Sequence, residues 1–362
     1  MLDIATHRLH SQKLVNTTLT DPTAAVEWLG AVQSQDYMGA KWALAQRTTG
    51  LKDDEVEQAF NDGYILRTHV LRPTWHFLTP GDIRWILALT APHVHQMNGT
   101  YYRKFAIDET VISRSRDVFT KALQGQNYQT REQLATLLDG AGIPADGLRL
   151  AYIMMHAELE GLICSGPRAG KQFTYALLDE RVPAAPPVTL DEALATLTYR
   201  YFASHGPATV KDYGLWSLLT MKHIKHGLHL LGDRLNHEAF NGQNYYFVGD
   251  IPTPDSHHPV TAYLLPNYDE AMGRSADPSP VIDPRFAQLW DPKRGVLAHY
   301  LVIDGRIVGS WQRVFKRDTV VIQLKPFVAL TDEQTSAVEA ACQRYGTFLG
   351  LTPVPEWLPP VL

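Results

Sequence analysis

Several features that would classify a chain quickly are scarce or missing here. The 362 residues include two cysteines, Cys164 and Cys342, too far apart in sequence to form a metal-ligand or redox motif. Such usage fits a reducing compartment and argues against a disulfide scaffold. No apolar run is long and uncharged enough to span a bilayer, and the first residues, MLDIATHRLH, carry no apolar signal region. The expectation is a cytoplasmic chain with no membrane partner. There is no glycine-rich phosphate loop, no Gly-x-Ser-x-Gly elbow and no Cys/His zinc set. Nucleotide hydrolases, ester hydrolases and zinc deaminases therefore drop out of the leading hypotheses. Positive charge is not in excess either. The formal net charge is −5, so any nucleic-acid surface must be a local one.

What remains is ordinary globular material, with length for about two or three domains. The stretch that draws attention is residues 30–47, GAVQSQDYMGAKWALAQR. Apolar helical runs flank a polar centre in which Gln33 and Gln35 lie one residue apart, followed by Asp36. On a helix, side chains at i and i+2 diverge by roughly 200°, whereas in an extended segment they share a face. A buried amide must find partners or lose its hydration uncompensated, so glutamine is a poor choice for packing alone. The plainer reading is a polar helix–helix junction whose glutamines cap backbone groups. Gly39 is placed to end the first helix or to admit a close backbone approach.

Along the chain, helix signals followed by hairpins recur three times. Asp21-Pro22 opens a helix, a second starts at Asp53 or Asp54, and residues 64–71 and 74–78 read as a hairpin turning at Arg72-Pro73. Capping boxes at Thr130/Gln133 and Thr189/Glu192 open the next two units. Their hairpins are read at residues 162–177, with Arg168 and Lys171 near the tip as candidate DNA contacts, and at 234–248. From residue 251 the composition shifts to prolines and strands at 260–265, 296–303, 306–314 and 319–324, with an Asp304-Gly305 turn. A capping box at Thr331/Gln334 starts a last helix to about Tyr345. The fold class expected is α+β, with three tandem winged helix-turn-helix units and a small C-terminal α/β, strand-rich unit. The boundaries are 1–125 for the first unit with its flanking helices, 126–181 for the second, 189–250 for the third and 251–362 for the last.

Two basic stretches suit a DNA backbone. One interleaves Arg103 and Lys104 with aromatics and continues through Arg114, Arg116 and Lys121. The other is the helix with Lys222, His223, Lys225, His226 and His229. Solvated helix faces explain both equally simply. Those three histidines fan around their helix too widely for one metal, and neither His93-x-His95 nor His257-His258 has a carboxylate at metal spacing. A metal-free, cofactor-free protein is expected.

Taken together, the chain resembles the AlkZ/YcaQ family of winged-helix DNA glycosylases. The matching stretches are Gln33-Ser34-Gln35-Asp36, residues 71–76 (LRPTWH), residues 206–216 (GPATVKDYGLW), residues 264–270 (LLPNYDE) and residues 305–311 (GRIVGSW). The resemblance implies a concave, DNA-sized cleft and excision of alkylated purines from double-stranded DNA, including bulky adducts and interstrand crosslinks. It maps the family's catalytic Gln-x-Gln or Gln-x-Asp motif onto Gln33 and Gln35, with Ser34 where the family commonly has an apolar residue. An N7- or N3-alkylated purine is a cationic leaving group, so the two amides need only orient water at C1′. Asp36 is a candidate for assisting as base or by its charge. Arg72 and His76 are candidates for touching the lesion strand, against a plain role in turn and core, and Trp75 is read as core. Lys41 leaves a lyase step open. A monomer is expected. The rival readings are a non-catalytic winged-helix DNA-binding protein, either regulator or lesion-binding factor, and a protein-interaction scaffold.

Overall fold

The computed structural model describes residues 3–250, 259–272, 280–289 and 299–361. His257, His258 and the first residues of the expected 296–303 strand lie outside them. The order of elements begins α1 (Ile4–Ser11), α2 (Pro22–Leu29), β1 (Val32–Gln33), α3 (Tyr37–Ala45), α4 (Asp53–Asp62), β2 (Leu66–Val70), β3 (Arg72–Leu78) and α5 (Pro80–Lys104). The Asp21 side chain caps α2 by accepting from Ala24 N–H, with Pro22 in the first turn. Gly30, at φ +79°, ends α2. Gly39 instead sits inside α3, where an added Cβ would lie 2.7 Å from Asp36 Oδ2 and 3.0 Å from Pro266 Cβ. Close approach, not helix termination, is what requires it. The hairpin turns at Leu71 (φ +61°), so Arg72 and Pro73 already belong to β3. β1 joins this hairpin through Val32↔Phe77 and Gln33↔His76.

Next come α6 (Glu109–Leu123), β4 (Gln129–Thr130), α7 (Arg131–Gly140), α8 (Gly147–Leu159), β5 (Ile163–Ser165), β6 (Thr174–Leu177) and a single turn, α9 (Leu178–Arg181). The sheet order is β4-β6-β5. Then α10 (Leu190–His205), α11 (Val210–Ser217) and α12 (Met221–Leu231) precede the two-stranded β7 (Asn236–Phe240) and β8 (Gln243–Phe247). The three capping boxes form as the sequence suggests, on α7, α10 and the last helix.

The C-terminal part is a five-stranded sheet in the order β13-β12-β11-β10-β9. Its strands are β9 (Ala262–Leu265), β10 (His299–Ile303), β11 (Arg306–Phe315), β12 (Thr319–Pro326) and β13 (Thr352–Trp357), with α13 (Asp332–Leu349) between the last two. One hydrophobic core crosses the expected boundary at residue 251. Val26, Leu29, Trp42 and Leu44 pack with Leu264, Trp311, Ile322 and Tyr345. Two indoles fix the junction, Trp42 Nε1 donating to Leu264 O (2.7 Å) and Trp311 Nε1 to Leu265 O (2.9 Å). Burying each such Leu or Ile contributes roughly 1.5–3 kcal/mol. Two further cores lie around the β2–β3 hairpin with α10–α12, and within α6–α8. Among the described residues no helix is long and apolar enough to cross a membrane.

The packing of α12 on α10 supplies a test. A Cβ at Gly227 would overlap Thr198 Oγ1 and stand 3.3 Å from Leu194 O. Thr198 is itself tied to the Tyr213 hydroxyl at 3.2 Å, so it cannot simply swing away. Gly227→Ala is expected to lower stability by about 1–3 kcal/mol through overpacking, even though alanine gains about 1 kcal/mol in helix propensity. A urea-denaturation midpoint at or above the wild-type value would count against this packing.

Candidate active site

Between α2 and α3 the chain runs extended. Ser34 N–H donates to Trp75 O at 2.8 Å, continuing the pairing of β1. Burial alternates accordingly: Val32 and Ser34 are buried, Gln33 is half-buried and Gln35 is exposed. The alternation puts Gln33, at the end of β1, and Gln35, in the bend just past it, on the less buried side.

Gln33 is the more tightly held. Its Oε1 accepts from Arg72 Nη2 (2.9 Å), and its backbone N–H donates to Glu270 Oε1 (2.8 Å). Arg72 also donates through Nη1 to Trp216 O (2.5 Å) and faces His76 Nε2 (3.1 Å). His76 Nδ1 lies 2.9 Å from Thr74 O. A carbonyl can only accept, so Nδ1 carries the proton and Nε2 offers its lone pair to Arg72. Burial, with Arg72 beside it, lowers this imidazole to about 3, so it is neutral at physiological pH. His76 is fully buried. The expectation that it touches a DNA strand is corrected on that ground: it braces Arg72 from inside. Arg72 remains half-buried at the base of the cluster.

Gln35 has a looser setting, with Oε1 3.5 Å from Trp75 N. Trp75 is half-buried, and the Arg67 guanidinium lies 4.3 Å from the ring centre. Asp36 points elsewhere. It caps α3 through Gly39 N–H (3.1 Å) and pairs with Arg313 Nη2 (2.9 Å), so both oxygens are committed away from the glutamines. Lys41 is likewise drawn off, buried between Asp53 and Glu57 at 2.8 Å from each. That placement turns Lys41 towards α4 and away from the glutamines.

Glu270 carries a role that sequence reasoning left unassigned. Although buried, it accepts from Gln33 N–H, from His205 Nε2 (3.1 Å) and from Trp216 Nε1 (3.0 Å). Burial pushes its carboxyl up, but the bond and charge of His205, the charge of Arg72 and the Gln33 N–H outweigh that and hold it near 2. The next-door Asp269 grips Arg47, with Nη2–Oδ1 at 2.7 Å and Nη1–Oδ2 at 3.1 Å. His205 comes from the end of α10 and Trp216 from α11. A small hint was present in the sequence: two adjacent acids, Asp269 and Glu270, in the turn that follows the apolar strand 262–265.

Of the expected DNA-contacting cations, Arg103, Lys104, Arg114, Arg116, Lys171, Lys222 and Lys225 are exposed. Arg114 is tied to Ala141 O. Arg168 is not available in that way. Its guanidinium packs on Phe173 (4.2 Å) and Tyr37 (5.0 Å), because aromatic faces beside Glu57 hold it better than solvent at the hairpin tip. The sequence has no carboxylate at metal spacing from His95, but the fold brings Glu160, at the end of α8, to 3.1 Å from its Nε2.

The family model for DNA glycosylases described as AlkZ-like matches residues 26–348. An interstrand DNA cross-link repair glycosylase of Streptomyces sahachiroi is 23% identical over 320 residues, covering 85% of this chain and 86% of that protein. The solved structure of the Streptomyces sahachiroi DNA glycosylase AlkZ superposes with a TM-score of 0.80 at 21% identity, covering 98% of each chain. At that identity the likeness establishes the fold.

Proposed function

Since this chain belongs to the AlkZ-like DNA glycosylase family, we propose that it hydrolyses the N-glycosidic bond of alkylated purines in duplex DNA, bulky adducts and interstrand crosslinks among them. The observation that carries the reading is the pair of glutamines on one side of an extended segment, with Gln33 clamped by Arg72 and backed by the buried Glu270. Gln33 Oε1 spends one lone pair on Arg72 and keeps another for water; Gln35 Oε1 supplies a second acceptor. Together they orient a water by accepting its hydrogens, while the cationic purine departs without a strong general acid. The fixed charge of Glu270 lies behind them and favours the positive sugar that develops as the bond breaks. Glu270 acts as a positioning residue, through Gln33.

On this reading the three helix-and-hairpin units, 1–125, 126–181 and 189–250, are tandem winged helices, and 251–362 is the strand-rich unit that supplies Glu270. Arg103, Lys104, Arg114, Arg116, Lys171, Lys222 and Lys225 would neutralise phosphates, each adding to the salt dependence of binding. No cofactor enters the chemistry.

The test is base release from a duplex containing 7-methylguanine, read by alkaline cleavage at the abasic site. Gln33→Ala and Gln35→Ala are expected to slow release about 100-fold with unchanged duplex affinity. If the wild-type chain binds duplex but releases nothing from methylated or crosslinked DNA, the non-catalytic DNA-binding reading replaces this one.

A further inference from the structure

Away from the glutamines, helices α5 and α8 converge on a second cluster. His95, His156 and Glu160 each place one ligand atom within 4.8 Å of the others. The spacing explains two of the three: His156 and Glu160 are four residues apart, one turn along a single face. The third crosses from α5, and the two imidazole centres are 4.7 Å apart. His95 Nε2 is 3.1 Å from Glu160 Oε1, its one near partner.

The surroundings suit an ion. His95 Nδ1 lies 2.8 Å from the Tyr102 hydroxyl. When that hydroxyl accepts Nδ1–H, the Nε2 lone pair is turned towards the cluster, the usual outer support of a metal-bound histidine. A cavity of about 340 Å³ bordered by Arg84, Pro92, His95 and Glu160 gives access from one side. On the other side Arg116 Nη2 stands 3.9 Å from Glu160 Oε2. Its side chain is 54% exposed, so it is free to withdraw when a cation arrives.

We propose that His95, His156 and Glu160 bind one divalent first-row transition ion, with Zn²⁺ the best match. Two imidazoles and one carboxylate form a donor set suited to zinc, whereas Mg²⁺ and Ca²⁺ prefer all-oxygen shells. Water completes the coordination. The ion clamps α5 to α8 and so fastens the first helix-and-hairpin unit to the second, a role separate from the glycosidic chemistry.

The test uses the full chain stripped with a chelator and titrated with Co²⁺, followed by absorption, and with Zn²⁺ in competition against a chromophoric chelator. One equivalent should bind in the micromolar range or tighter and raise the melting temperature. His95→Ala and Glu160→Gln should each weaken binding by more than about tenfold. Glu160 is 42% exposed, so Glu160→Gln folds and keeps the comparison interpretable. No stoichiometric uptake by the stripped wild type would overturn the site. So would equal affinity in wild type, His156→Ala and Glu160→Gln, which would assign the ion to other histidines.

Discussion

Asp269→Ala is expected to lower the free energy of unfolding by about 3–5 kcal/mol, the usual cost of stranding one partner of a buried ion pair. Arg47 and Asp269 are both fully buried at the side chain. The guanidinium is shared among both Asp269 oxygens, Gln12 Oε1 (2.6 Å) and Ala43 O (2.8 Å). These partners come from α1, α3 and the 266–270 turn, so one cation ties three distant parts of the chain. Removing the carboxylate leaves the charge with neutral acceptors only and no route to water. Replacing both partners by apolar residues, Arg47→Met with Asp269→Leu, should recover much of the loss, because a buried pair is weakly stabilising against well-packed hydrophobes. Urea denaturation of the single and double variants completes the comparison. A loss below about 1 kcal/mol in Asp269→Ala would mean that solvent reaches Arg47.

That network marks where sequence patterns stop carrying information. Short-range chemistry was legible: capping boxes open α7, α10 and α13, and Asp304-Gly305 makes its hairpin turn with positive φ at both residues. β13 was missed because Pro353 and Pro355 argue against a strand. They are tolerated there because β13 is the sheet edge, paired on one side only with β12. The first hairpin was found but its turn misplaced, since Leu71 adopts a left-handed conformation that its side chain does not advertise. Within the candidate site, the common face of Gln33 and Gln35 follows from the period of an extended chain. The contact of Glu270 with Gln33 did not follow from anything local, because 237 residues separate the two. Arg168 shows the converse: a basic residue near a hairpin tip was read as a DNA contact, whereas the fold gives its guanidinium the aromatic faces of Tyr37 and Phe173.

Glu270→Gln should then separate structure from chemistry at the one residue where they meet. Oε1 accepts from Gln33 N–H and Oε2 from both His205 and Trp216. In a glutamine one of these positions becomes an NH₂, set donor against donor whichever way the amide turns. The carboxyl falls from 4.5 to about 2 on folding, burial being outweighed by His205, Arg72 and the Gln33 amide. That shift corresponds to stabilisation on the order of 3 kcal/mol. The sign follows from a depressed folded-state value: the contribution is fully present above about 4.5 and is lost as pH falls towards 2. The stability gap between wild type and Glu270→Gln should therefore be constant from pH 7 to 5 and narrow on further acidification. A gap that widened in acid would refute the assignment. The single-turnover rate of base release at pH 7 should fall about 100- to 1,000-fold, as when one preorganised electrostatic group is removed. Duplex affinity should hardly change, because Glu270 is buried and offers no surface to a ligand. A variant that lost affinity and rate together would instead place Glu270 under the DNA-binding surface as a whole, leaving Gln33 and Gln35 without their fixed support.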